Sequence, residues 1–143
     1  MELISYSIFA VLSAISVMHI GWALGMAWPA KSCADLPAMV VGIPKGSPMP
    51  PAAATLVVAA GIFGLGMAAL WGAGVFSLGA LNSYCGWVLL AIAAIFALRG
   101  VATYLPFGPL QASVEPFRTL DRRYFAPLCL LLASGYLLIF SSL

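Results

Sequence analysis

The stretch LISYSIFAVLSAISVMHIGWALGMAW, residues 3–28, decides the fold. It runs without a formally charged side chain for longer than the roughly 20 helical residues that cross a hydrocarbon core. Its apolar side chains surround the whole helix instead of lining one face, so uninterrupted length, not period-3.6 amphipathicity, is the signal. Three more stretches of this kind follow at residues 52–71, 84–104 and 124–142, the last most apolar up to Phe140.

Composition agrees with that reading. Of 143 residues, 64% are hydrophobic and only 7% charged, against roughly 25% charged in a soluble domain. A water-soluble fold is excluded on that ground, and one integral membrane domain over residues 1–143 is the natural count. The first apolar stretch follows Met1-Glu2-Leu3 with no basic segment before it and is too long for a signal-peptide core, so it is expected to be retained as a helix. The expected fold is an all-α, up-down bundle of four transmembrane helices.

The connections differ in character. The first, residues 29–51, carries Lys31, Asp35 and Lys45 and is broken at Pro29, Pro37, Pro44, Pro48, Pro50 and Pro51, so it cannot be one helix. The second, residues 72–83, has no charge. The third, residues 105–123, holds Pro106, Pro109, Pro116, Glu115, Arg118, Asp121, Arg122 and Arg123. In a four-span chain the first and third connections share a side, which then collects all five loop cations. The positive-inside rule places that side in the cytoplasm and both termini outside, in a multi-pass inner-membrane protein. Asn82, Tyr84 and Trp87 mark the outer interface, and Trp28, Tyr104 and Tyr124 the inner one.

Two small-residue patterns predict close helix packing: the pair Gly21 and Gly25, and the stripe Ala60, Gly64, Ala68 and Gly72. Pro127 predicts that the last helix either starts near Ala126 or kinks there.

Only two strongly polar ionisable groups fall inside the predicted spans, His19 and Arg99. Such groups are costly in a membrane, so each is a functional candidate. Counted from the predicted helix midpoints, both lie roughly 6 to 8 Å toward the cytoplasm at 1.5 Å per residue. The first and third helices are diagonal in an up-down bundle, so the two side chains could meet in one interior pocket. Ser16 and Trp22 share the His19 face, and Thr103 lies one turn below Arg99. Arg99 either snorkels to the headgroups, pairs with Asp121 or Glu115 folded back from the third loop, or holds an anionic ligand. His19 either is a neutral ring hydrogen-bonded to Ser16 or a neighbouring helix, or serves as an acid or base. The two long loops lie on the side toward which both groups are displaced, which predicts a cytoplasm-facing cavity roofed by those loops.

A metal site is not expected, since one histidine is too few ligands and the cysteines, Cys33, Cys85 and Cys129, lie far apart and read as free thiols. No P-loop, dinucleotide fingerprint or nucleophile elbow is present, and no cofactor is implied. Nucleic acid is an unexpected partner because topology alone requires the five loop cations.

The residues His19-x-x-Trp22-Ala23-Leu24-Gly25, Trp28-Pro29, Arg99-Gly100 with Tyr104, and Asp121, Tyr124 and Pro127-Leu128-Cys129 carry a resemblance over nearly the whole chain. They resemble an uncharacterised bacterial family of small four-span membrane proteins, a domain of unknown function. Val101, Ala102 and Thr103 stand where that pattern is more glycine-rich. The resemblance implies the topology and singles out these positions; it implies no activity.

Three functions compete. In the first, a site binds, and in its stronger form acts on, an amphipathic or anionic small molecule or lipid: Arg99 holds the head, Trp22 and Tyr104 pack on the body, His19 moves a proton, and Asp121 orients them, with Ser16 and Thr103 alongside. The second is a small transporter working as a homo-oligomer. The third is an accessory or scaffold subunit of a larger membrane complex.

Overall fold

The computed structural model describes residues 1–107 and 112–143, so Pro109, one of the predicted loop breaks, lies outside the described residues. The regular structure among the described residues is all helical, with no strand. They comprise α1 (Glu2–Ala23), the short α2 (Leu36–Val40), α3 (Ala52–Gly72), a 3-10 turn (Gly79–Tyr84), α4 (Cys85–Ala102), α5 (Phe117–Leu120), a π-helical turn (Asp121–Phe125) and α6 (Ala126–Phe140). Four continuous spans among them are long and apolar enough to cross a membrane: Glu2–Ala23, Ala52–Gly72, Gly79–Ala102 and Phe117–Phe140. At most 33% of the most apolar window of any span is buried within the chain, so most of each helix faces outward. Leu3, Val57, Trp87, Leu98 and Leu131 are all exposed by 70% or more, which suits lipid and not water.

The bundle is built from two hairpins. α1 packs along α3 and α4 along α6, with far fewer contacts between the pairs. Ile8, Leu12, Ala69, Leu89, Ile92, Leu132, Tyr136 and Ile139 form the core where the hairpins meet. Tyr136 is fully buried, stacks on Phe96, and donates its hydroxyl to the Leu65 carbonyl at 2.6 Å. That bond joins the fourth span to the second. Ser16, also buried, donates to the Ala59 carbonyl at 2.8 Å and ties α1 to α3.

The helix ends differ from the sequence expectation in two places. α1 stops at Ala23, not near residue 28, because Gly25 takes φ +90° and closes a C-terminal cap. In that cap the Met26 N–H reaches the Gly21 carbonyl and the Gly25 N–H the Trp22 carbonyl, the paired bonds of a Schellman motif. Gly21 and Gly25 therefore end a helix; they are not a helix-packing pair. The last span begins at Phe117, well before residue 124. Pro127 has no N–H to give the ladder, and the backbone answers with the π-helical turn immediately before α6. The third connection is correspondingly shorter.

The predicted stripe on α3 is also turned. Ala60 and Gly64 are exposed, and a Cβ added to Gly64 would meet open space. The packed face runs instead through Thr55, Ala59, Gly66, Ala69 and Gly72. A Cβ on Gly72 would come within 2.7 Å of Leu89 and 2.9 Å of Ile139.

The first and third connections do share one end of the bundle, where they touch. The Val114 N–H donates to the Gly42 carbonyl, and Gly42, at φ +85°, lies against Phe117 and Ser113. Lys45 pairs with Asp35 in the first loop and, with the Ser32 hydroxyl, holds that carboxyl below the usual carboxylate range. The aromatic residues expected at the interfaces, Trp28, Tyr84, Trp87, Tyr104 and Tyr124, are each exposed by half or more.

Gly72→Leu should lower the thermal unfolding midpoint in detergent by several degrees, whereas Gly64→Leu should leave it within about a degree, as substitutions away from packed features usually do. A larger loss at Gly64 than at Gly72 would contradict this packing.

Candidate functional site

The two costly side chains occur in separate places. Arg99 lies in the last turn of α4, where the helix dipole favours a cation. Its Nη2 donates to Asp121 Oδ1 at 2.6 Å and its Nη1 approaches Oδ2 at 3.4 Å. Nη1 also donates to Thr103 Oγ1 at 2.8 Å, and that hydroxyl donates on to Asp121 Oδ2 at 2.7 Å. The result is a closed ring of three side chains around a guanidinium fork. The Asp121 side chain is 3% exposed and that of Arg99 33%.

Local structure explains the closure. Because the last span starts at Phe117, Asp121 is carried on a helix, inside the π turn, and not on a loose loop. Gly100, beside Arg99, lets α4 approach α6 so closely that a Cβ there would lie 3.0 Å from the Ala126 carbonyl oxygen and 2.7 Å from Leu130. Of the partners foreseen for Arg99, Asp121 is the one realised. Glu115 instead accepts from the Thr119 hydroxyl and N–H. Tyr104 is exposed and donates to the Arg122 carbonyl at 2.8 Å, so it braces the π turn and does not face the ring of side chains.

His19 belongs to the other hairpin. Its Nδ1 lies 2.8 Å from the Ile15 carbonyl, and a carbonyl only accepts, so Nδ1 carries the hydrogen. In the neutral ring Nε2 is then left as a lone-pair acceptor. The imidazole sits 4.7 Å from the Trp22 ring, centre to centre. Both line a cleft of about 170 Å³ with Val40, Val41, Met49, Pro50, Ala54, Thr55 and Val58.

Arg99, Thr103, Tyr104 and Asp121 do not line this cleft. The expected convergence of His19 and Arg99 in one pocket therefore does not occur. Pairwise packing of α1 on α3 and α4 on α6 turns each polar group toward its own hairpin partner. Ser16 is not in the cleft either, its hydroxyl being used on Ala59. Among the described residues only the first loop roofs the cleft, through Val40, Val41, Met49 and Pro50. Because α1 ends at Ala23, His19 is four residues from the helix end, about 6 Å at the usual rise. It sits near the loop-side interface, not toward the middle of the span. Thr55 was missed, although it is the one hydroxyl in α3 and a polar group within a span is itself a signal.

Among the described residues no cluster of three or more His, Cys, Asp or Glu could hold a metal ion. Cys33 is exposed, Cys85 buried and Cys129 half-buried, all as free thiols.

An all-helical bundle with four long apolar spans, its charged connections gathered at one end, is the build of a small multi-pass membrane protein. Residues 12–136 match the family described as "Protein of unknown function (DUF3995)", and the chain belongs to that family. No curated protein and no solved structure gives a match.

Asp121→Asn should destabilise the protein by about 3 kcal/mol, the low end for breaking a buried pair because Arg99 is one-third exposed. The double change Arg99→Met with Asp121→Leu should cost less than either Asp121→Leu or Arg99→Met alone. Denaturant unfolding in mixed micelles measures both, and strictly additive losses would show that the pair is not coupled.

Proposed function

We propose that this is a multi-pass protein of the bacterial inner membrane, both termini outside and both long loops cytoplasmic, that binds an amphipathic small molecule or lipid at the His19 cleft. The observation that carries the reading is the pairing of a largely apolar cleft with one oriented imidazole. Apolar walls with a few placed polar groups are the usual make-up of a small-molecule site.

The volume sets the scale. Drug-sized ligands occupy roughly 300–1,000 Å³, so a cleft of about 170 Å³ takes a head and the first carbons of a tail. The tail has somewhere to go, since Ala54 and Val58 are exposed on the outer side of α3. Position fits as well: a polar head belongs near the interface and an apolar tail deeper in the membrane, and His19 lies near the loop-side end of α1.

Arg99 is not given the role of anion holder in this reading, because Asp121 and Thr103 already engage both of its terminal nitrogens. The ring of Arg99, Thr103 and Asp121 instead fixes the second hairpin. Binding and not turnover is the reading, as the cleft offers no acid to work beside the imidazole.

Mass spectrometry of purified protein should find one class of small amphiphile retained by wild type, depleted in His19→Ala, and lost in Ala54→Phe, which fills the cleft. Equal retention by all three removes the site. The orientation has its own test: a membrane-impermeant maleimide should label Cys33, exposed in the first loop, only after the inner membrane is opened. Labelling of intact spheroplasts at Cys33 reverses the topology.

A further inference from the structure

We infer that the head held at His19 is a neutral hydroxyl donor, an aliphatic alcohol or a phenol on an apolar tail, and not an anion. The inference rests on the binding reading above and names its ligand class. It follows from an inventory of hydrogens.

Three lining side chains carry polar atoms, His19, Trp22 and Thr55. The hydrogen on His19 Nδ1 goes to Ile15, and Nε2 of the neutral ring can only accept. The Trp22 indole N–H is used on the Trp28 carbonyl at 2.7 Å. The Thr55 hydroxyl gives its hydrogen to the Pro51 carbonyl at 3.2 Å, which leaves it lone pairs alone. Every described side-chain donor that lines the cleft is thus committed within the protein, and those side chains offer it acceptors.

No Lys, Arg, Asp or Glu lines the cleft. Beside a neutral imidazole, an anionic head would enter a site with no opposite charge and no side-chain hydrogen to receive, and an unpaired charge in such surroundings is costly. The first-loop cation Lys45 is paired with Asp35. A head that brings its own hydrogen completes the site: its O–H donates to Nε2 and its carbon skeleton lies on the apolar walls.

His19 is the only histidine, so its two ring nitrogens give an uncrowded ¹⁵N spectrum and a direct readout. Three probes of equal tail length separate the alternatives: dodecan-1-ol as donor, methyl dodecanoate as acceptor only, and dodecanoate at pH 9 as anion. The alcohol should shift the Nε2 resonance in the sense of a newly accepted hydrogen bond and leave Nδ1 in place. It should bind roughly threefold to tenfold more tightly than the methyl ester, the value of one net hydrogen bond.

His19→Phe keeps an aromatic ring but removes the acceptor, and the alcohol preference should vanish. Ala54→Phe, which alters no polar group, should abolish binding of all three probes. If dodecanoate binds as tightly as the alcohol or more so, the donor assignment is wrong while the cleft survives as a site. If no probe binds wild type, the binding reading itself fails.

Discussion

A polar group placed in hydrocarbon has no water to turn to, so leaving one unsatisfied is costly, and among the described buried side-chain polar atoms the Ser13 hydroxyl alone lacks a partner. That constraint organises the interior. Ser16 spends its hydroxyl on Ala59, Tyr136 on Leu65, and Ser134 on the Leu130 carbonyl in its own helix. The first two bonds cross between spans and fix the rotation of α1 and α6 about their axes. The guanidinium of Arg99 is the extreme case. It is met by a carboxylate and a hydroxyl that also bond each other, so the group that is costliest alone becomes part of a closed arrangement.

Closure of that arrangement shapes the backbone around it. Asp121 reaches Arg99 because the last span begins before its proline, and the π turn absorbs the donor that Pro127 lacks. Gly100 supplies the close approach. Without either feature the acid would stand on a loop or the helices would be held apart. The other hairpin is tied differently, by Ser16 and by glycine contacts such as Gly66 against Phe9 and Leu12. With few contacts between hairpins, their relative placement falls to Tyr136, Gly72 and the docking of Gly42 onto Phe117 and Val114. The first loop is thereby held over the ends of α1 and α3, where it roofs the cleft.

The spans themselves were legible in the sequence because length and apolarity are properties of a stretch alone. Their ends were less so. A glycine after an apolar run reads equally as a packing residue or as a cap, and only the φ of Gly25 decides between them. Pro127 announced a disturbance, but the π turn places it, and with it the helical status of Asp121. Which face of α3 packs was illegible for a related reason. A helix apolar all round gives no periodicity to read, so Gly64 and Gly72 look alike until their neighbours are known. For Arg99 the sequence left open the headgroups, a bound anion, Asp121 and Glu115, and the start of the last span before Pro127 decides for Asp121. Depth alone could not say that His19 faces a different hairpin, because matching height on two helices says nothing of their rotation.

The same separation changes what the chemistry at His19 can be. Had Arg99 faced it, the site would have been cationic and suited to an anionic head. With the guanidinium neutralised in the other hairpin, the cleft keeps one imidazole, an indole and a hydroxyl, and the hydrogens of all three are directed into the protein. Selectivity in such a site comes from a mismatch penalty: a ligand that brings no hydrogen leaves Nε2 unsatisfied, and one that brings a charge finds no counter-ion. Under the proposed binding reading, hydrogen-bond polarity, not net charge, is the property by which this cleft would distinguish one amphiphile from another.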